Sequence, residues 1–387
     1  MIIEPKIRGF ICTTAHPTGC ATNVQRQIDH VVVKGEIPTG PRRVLVLGCS
    51  TGYGLASRIV TTFGSNADTV GVSFEKPPAE NKTASAGWYN NRAFEQRAKA
   101  AGRVAVTVEG DAFSDAIKAE AIAAIRENLG QVDMIVYSLA SPVRTDPKTG
   151  ETYRSAIKPF GAPVEAKTLN TATGEVSQVV IEPATEEEAA ATVKVMGGED
   201  WQLWIAALSE AGVLADGFTT LNYTYLGSEL TWPIYHKGTL GVAKADLDRA
   251  AGEIRGQFGD SSAYVVALKA VVTQASSAIP VVPLYGTLLL KVMAEMGLGE
   301  GTIEQIDRLF RAKLADPVVD EAHRIRVDDW ELSDTVQAEM IRRWPLLSTE
   351  TLPDLADLKT YRAEFLKLFG FGLGGVDYSL DVDPREV

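Results

Sequence analysis

The stretch V-L-V-L-G-C-S-T-G-Y-G-L-A, beginning at Val44, limits the possible folds more than any other part of the chain. Four apolar residues in a row suit a strand buried on both faces, as in a parallel sheet. Gly48, Gly52 and Gly54 follow as G-x3-G-x-G and open a helix predicted over 55–63. Glycines let backbone amides come close to a pyrophosphate, and the start of a helix favours negative charge. Gly48, Cys49, Ser50, Thr51, Gly52 and Tyr53 are therefore candidate contacts for a dinucleotide. A glycine loop alone is a weak signal; a strand before it and a helix after it make it specific.

The alternation continues. A second strand, T-V-G-V-S-F-E, ends at Phe74 and Glu75, about twenty residues past the last glycine. An acid there accepts from both adenosine ribose hydroxyls and repels a 2′-phosphate. Glu75 thus predicts NADH over NADPH, with neighbouring Lys76 weighing the other way. A helix over 87–102 ends in glycine, and V-A-V-T-V-E-G-D forms a third strand. Asp111 and Ala112 at its end are candidate adenine contacts, and Asp111 suits equally the N-cap of a helix over 114–129. A fourth strand over 132–141 ends in the small-residue turn Ser138, Leu139 and Ala140, which allows a flat ring to approach backbone. The pattern βαβαβαβ predicts an α/β fold: a doubly wound parallel sheet of Rossmann type.

The chain has 387 residues, 45% apolar, with net charge −12. That charge disfavours nucleic acid and anionic membranes as partners. Cys12, Cys20 and Cys49 form no disulfide framework and fit a reducing cytosol. The N-terminus lacks the apolar core of a signal peptide, and no run of about 18 apolar residues suggests a membrane span. A cytoplasmic location is expected. His16 and Cys20 are too few for a metal centre, and neither HExxH nor GxSxG occurs, so no metal is expected.

Around the sheet, residues 1–40 read as irregular decoration, with strand-like pieces at 2–3 and 31–33 and a turn at 16–19. Residues 142–184 read as an inserted hairpin lobe. Helices follow at 186–198 and 201–212, where Trp201, Trp204 and Leu208 share a face that reads as core. A strand is predicted over 218–225, a strand and loop over 262–277, and an apolar helix over 279–297. One enlarged domain is expected: 40–141 for the dinucleotide, 142–297 for the insertion, catalytic segment and acyl-pocket helices, and 298–387 as a helical extension.

The segment from Leu221 to Lys244 holds Tyr223, Tyr225, Tyr235 and Lys244. A phenol can donate to a developing oxyanion, and a nearby ammonium favours the phenolate. Taken alone, such tyrosines are ordinary packing residues; the upstream glycine loop changes their meaning. Eight residues separate Tyr235 from Lys244. Nine steps of ~100° sum to about 900°, opposite faces of one helix. Tyr235 is therefore predicted to precede the helix, which would start near Gly238 or Thr239 and contain Lys244, with Pro233 marking a turn just before.

Y-L-G-S-E from Tyr225, Pro233, Tyr235, and G-V-A-K ending at Lys244 resemble the single-chain trans-2-enoyl-thioester reductases of FabV type, relatives of the short-chain dehydrogenases. The resemblance spans essentially the whole chain, and the Tyr-x8-Lys spacing is its most specific element. It implies NADH-dependent reduction of an enoyl-acyl-carrier-protein or enoyl-coenzyme A, the last step of fatty acid elongation. Tyr235 would act on the thioester oxygen, Lys244 would hold the nicotinamide ribose and lower the phenol's pKa, and Tyr225 would contact the substrate carbonyl. Thr273, Gln274 and Ala275 stand where relatives touch the nicotinamide amide and phosphates. The carrier protein is the preferred partner, with Arg92, Arg97, Lys148 and Arg154 as candidate contacts, and a monomer is expected. The corresponding C-terminal region of the family has been labelled flavin-binding. Gly372, Gly374 and Gly375 lack a strand–helix context, so no flavin is expected. The rival functions are an NAD(P)-dependent ketoreductase or alcohol dehydrogenase and a non-catalytic NAD-binding regulator.

Overall fold

A computed structural model describes residues 1–386 apart from Phe10, Ala140 and Ser261. Seven parallel strands form the central sheet: β1 (Arg43–Leu47), β2 (Asp68–Ser73), β3 (Ala105–Glu109), β4 (Val132–Tyr137), β5 (Leu214–Thr224), β6 (Ala263–Ala267) and β7 (Arg324–Arg326). Their order is β7-β6-β5-β4-β1-β2-β3, so the winding reverses between β1 and β4. One row of paired residues crosses every strand: Val108, Val72, Leu47, Tyr137, Asn222, Val265 and Arg324. The glycine loop, Ser138, Tyr225 and Lys269 all lie just beyond this row. In open parallel sheets that carboxyl edge, at the reversal, is where ligands bind.

Alternation along the strands assigns the two helical layers. Val44 and Val46 point to one face, packed with α1 (Pro17–Val32), α2 (Gly52–Gly64), α3 (Ala86–Ala100) and α9 (Thr302–Arg308). Leu45 and Leu47 point to the other, packed with α4 (Asp115–Asn128), α6 (Glu199–Glu210) and α7 (Thr239–Phe258). Trp201, Trp204 and Leu208 sit fully buried in this second layer, as core residues. Outside the layers, α5 (Glu186–Met196) packs on α7, while α10 (Asp334–Arg343) and α11 (Leu358–Lys367) pack on α8 (Val282–Glu295).

Three local expectations are corrected. Pro17–Val32 forms a helix where a turn and a strand were expected. His16 is its N-cap, with Nδ1 accepting from the Gly19 amide at 3.2 Å, and Pro17 occupies the first turn. Val24, Ile28 and Val31 face the core, whereas Val33 is 81% exposed, which a buried strand would not allow. The insertion is two antiparallel hairpins, 143–145 with 152–154 and 164–170 with 175–181, because the stretch between them, with Pro159, Gly161 and Pro163, interrupts the pairing. Finally, the C-terminal extension supplies β7 to the sheet edge, a three-residue strand too short to read by periodicity. Among the described residues, no helix is long and apolar enough to cross a membrane.

Candidate active site

The glycine loop is shaped by collisions that any side chain would suffer. Gly48 has φ +82° and Gly52 φ +55°, conformations that favour glycine. A Cβ at Gly48 would strike the Ser138 carbonyl, and one at Gly54 would strike the Gly48 carbonyl. The loop is thereby drawn tight between β1 and β4. No side chain caps α2, so its first-turn amides are left to other acceptors. On the open side of Gly52 lies the Thr273 methyl, 4.0 Å from where a Cβ would stand. Thr273, Gln274 and Ala275 thus form the opposite wall, with Thr273 itself capping the short turn Gln274–Ser277.

Glu75 lies beside this loop. Its Oε1 accepts from Ser50 Oγ at 2.6 Å, and a Cβ on Gly87 would collide with it. The Ser50 carbonyl accepts from Asn90 Nδ2 at 3.0 Å, so α3 holds the loop from below. Phe74 is 78% exposed next to Glu75. Asp111 accepts from the Phe113 amide at 3.0 Å, while Ser114, not Asp111, caps α4. The Ala112 carbonyl is committed to Lys118 Nζ and Trp204 Nε1. Leu139 is half-buried at the loop, and Ala140 lies outside the described residues.

Two predicted contacts turn away. The Cys49 thiol packs behind the loop against Asn91 and Arg58, and burial pushes it up to about 11. The Tyr53 hydroxyl donates to the Lys269 carbonyl at 2.7 Å and accepts from Gln305 Nε2 at 2.7 Å, tying α2 to the end of β6. Only their backbones face the glycine turn. The tight cradle, the uncapped helix start and the anchored carboxylate of Glu75 together fit a dinucleotide.

Tyr225 follows β5 directly, and Tyr235 sits in the turns before α7, whose N-cap is Gly238. Lys244 lies in the second turn of that helix. The chain doubles back tightly here: the Tyr235 amide donates to the Thr231 carbonyl at 3.0 Å, and Gly238 presses on the Lys158 carbonyl. The Tyr225 and Tyr235 rings meet edge to face, with centroids 5.1 Å apart. Burial first, then the Glu331 carboxylate, raises the Tyr235 phenol well above its usual range. The expected lowering by Lys244 is therefore corrected, because desolvation dominates. Lys244 makes no hydrogen bond or ion pair among the described residues, and burial lowers it to about 8 against the pull of Asp248. That carboxylate is itself held by Arg324 Nε at 2.9 Å.

The sequence reading missed a buried cluster beneath the tyrosines. Glu331 Oε1 accepts from Tyr225 Oη at 3.0 Å and Tyr285 Oη at 2.7 Å, and Oε2 accepts from the Ala270 amide at 2.7 Å. Burial pushes this carboxyl up, opposed by the charge of Lys269. Lys269, a cation inside the apolar run A-L-K-A-V-V, was the visible signal; Glu331 had none. The predicted carrier contacts Arg92, Arg97, Lys148 and Arg154 are all exposed, the first two on α3 and the others on the first hairpin. Among the described residues no group of acids, histidines and cysteines is arranged to hold a metal.

Three family models cover the chain. Residues 82–315 match the trans-2-enoyl-CoA reductase catalytic region, 2–80 the NAD(P)H binding domain of trans-2-enoyl-CoA reductase, and 319–382 the enoyl reductase FAD binding domain. An NADH-dependent enoyl-[acyl-carrier-protein] reductase of Tolumonas auensis is 56% identical over 389 residues, covering 100% of this chain and 98% of that protein. One from Saccharophagus degradans is 57% identical over 388 residues, covering 99% and 98%. The crystal structure of Treponema denticola trans-2-enoyl-CoA reductase in complex with NAD superposes with TM-score 0.96 at 47% identity, covering 100% of this chain and 99% of that one.

The match over 319–382 corrects the expectation of no flavin: by family description this is a flavin-binding region. That expectation rested on a missing glycine fingerprint, and a flavin can be held without one. Gly370 closes against His16 and Gly19 of α1, and Arg326 pairs with Asp328 while Arg308 and Lys313 pair with Asp329.

Proposed function

This chain belongs to the trans-2-enoyl-CoA reductase family, and we propose that Tyr235 is the group on which its reaction turns. The reaction is NADH-dependent reduction of the trans-2 double bond of an enoyl thioester, which completes a round of fatty acid elongation. Bound NADH supplies a hydride, received at C3 of the enoyl chain. Negative charge then develops on the thioester oxygen, Tyr235 donates its phenolic hydrogen to that oxygen where the charge appears, and the enol so formed gains a proton at C2 from water as its oxygen gives one back, leaving the saturated thioester. Its raised pKa keeps the phenol protonated until it is needed. Lys244 would hold the nicotinamide ribose, Glu75 the adenosine ribose, the turn 48–53 the pyrophosphate, and Thr273–Ala275 the nicotinamide amide and phosphates.

The observation that carries this is the Tyr225–Tyr235 ring contact at the carboxyl edge of the sheet, beside a glycine turn. Two phenols there suit a conjugated thioester, whose oxygen gathers charge only after hydride arrives. The carrier we favour is acyl carrier protein, following the names of the relatives at 56% and 57% identity. The test is NADH oxidation followed at its absorbance with crotonyl-coenzyme A and with crotonylated carrier protein in parallel. Turnover of both with a higher kcat/KM for the carrier-protein substrate is expected. Reduction of neither, with oxidation of secondary alcohols by NAD instead, would replace this activity by a ketoreductase.

A further inference from the structure

The Tyr225 hydroxyl has one proton, and the structure shows where it goes. Tyr225 Oη donates to Glu331 Oε1 at 3.0 Å, and Glu331 is fully buried. The same oxygen takes the Tyr285 proton at 2.7 Å, and the other oxygen is fixed by the Ala270 amide at 2.7 Å. The carboxylate is thus held from three directions, by β6's exit, by α8 and by the segment following β5. Tyr235 Oη, by contrast, has no protein partner among the described residues, although its ring stands 5.1 Å from that of Tyr225 at 80°. One hydroxyl of the pair is engaged and the other is not. A phenol that gives its proton to a carboxylate can still accept, but it cannot also donate to a substrate oxygen.

We infer that Glu331 is a positioning residue for the enoyl reduction: by taking the Tyr225 proton it pins that ring against Tyr235 and leaves Tyr235 as the sole proton donor. Tyr225 then meets the substrate through its ring face and edge. This rests on the activity proposed above and adds a residue contributed from the C-terminal extension, inside the stretch matched to a flavin-binding description. The role needs no flavin. It gives that stretch a part in the chemistry of the sheet edge, since Glu331 lies five residues beyond the end of β7.

The test is a mutant cycle on the full chain with crotonyl-coenzyme A. Glu331→Gln keeps the shape of the side chain but leaves one acceptor oxygen for donors on two sides, so either the Ala270 amide or both phenols lose their acceptor. Loss of about ten- to a hundredfold in kcat, with NADH affinity unchanged, is expected. Tyr225→Phe should give a similar loss, and the double variant should be no worse than the weaker single one, because Glu331 acts through Tyr225. Tyr235→Phe should be at least about tenfold worse than Tyr225→Phe. Losses that multiply in the double variant, or Glu331→Gln turning over at the wild-type rate with only a lower Tm, would overturn the inference. If Glu331→Gln does not fold, Tyr225→Phe decides alone: wild-type kcat leaves Glu331 nothing to position, and a loss equal to that of Tyr235→Phe makes Tyr225 a donor itself. A wild-type enzyme inert toward enoyl thioesters would remove the activity and the inference together; wild-type turnover with multiplying losses removes only the inference.

Discussion

Tyr235 and Lys244 are displaced in opposite directions by the same cause, the removal of water from a charged form. The phenol stays protonated across the physiological range, which suits a donor. Tyr235→Phe should lower kcat by about two to four orders of magnitude while NADH affinity stays as in the wild type, measured by single turnover and fluorescence titration. Lys244 holds its proton below about 8 and loses it above. If the ammonium binds the ribose, kcat/KM for NADH should fall as pH rises through about 8, and Lys244→Met should abolish that limb of the profile. Glu75 is braced by Ser50 and by the start of α3, so it cannot swing away from a 2′-phosphate. Glu75→Ala should therefore raise the kcat/KM ratio of NADPH to NADH; an unaltered ratio would place cofactor choice elsewhere. At this scale the sequence was readable where spacing carried geometry. Nine steps between phenol and amine forbid a shared helix face, and the structure puts Tyr235 ahead of the N-cap Gly238. Glu331 was unreadable because one of three acids in D-D-W-E carries no period, and its partners lie 46, 61 and 106 residues away.

Elements were legible in proportion to how fully they are buried. The strands β1, β2 and β4 are apolar runs covered on both faces, and their predicted positions match within a few residues. Helix α1 was misread for a physical reason: its end is the β-branched run Val31–Val33, which favours extended backbone unless packing intervenes. The intervening contacts come from α2 and α3, far along the chain. The same dependence on distant contacts holds the catalytic turn. Gly238 lies against the Lys158 carbonyl, and the Thr239 amide donates to that oxygen at 3.0 Å, so the insertion fixes the entry to α7. Gly238→Ala would push the two segments apart and shift Tyr235. An approximately hundredfold fall in kcat, with NADH affinity retained, is the expected outcome, since displacement of about 1 Å is enough for such a loss.

The whole molecule is closed by contacts between its first and last thirds. α1 packs on α11, and the amino terminus meets Asp381 and the Val382 carbonyl. Gly19 touches the Gly370 carbonyl so closely that a Cβ would overlap it. Gly19→Ala should cost about 1–3 kcal/mol of stability, the scale of overpacking, seen as a lower urea midpoint with unchanged slope. Activity per folded molecule should survive, because the contact lies outside the cluster around Tyr235; a fall in kcat without a fall in midpoint would contradict this. None of this closure was visible from composition, since the extension reads as charged and helical and only its fold brings Ile325 and Val327 into the main core.

Glu331 also sets a condition on biosynthesis. Glu331 belongs to the part of the chain synthesised after β1 to β6 and the glycine turn. Until that segment docks, the carboxylate beneath Tyr225 and Tyr285 is missing, and the Tyr225 ring has nothing to pin it.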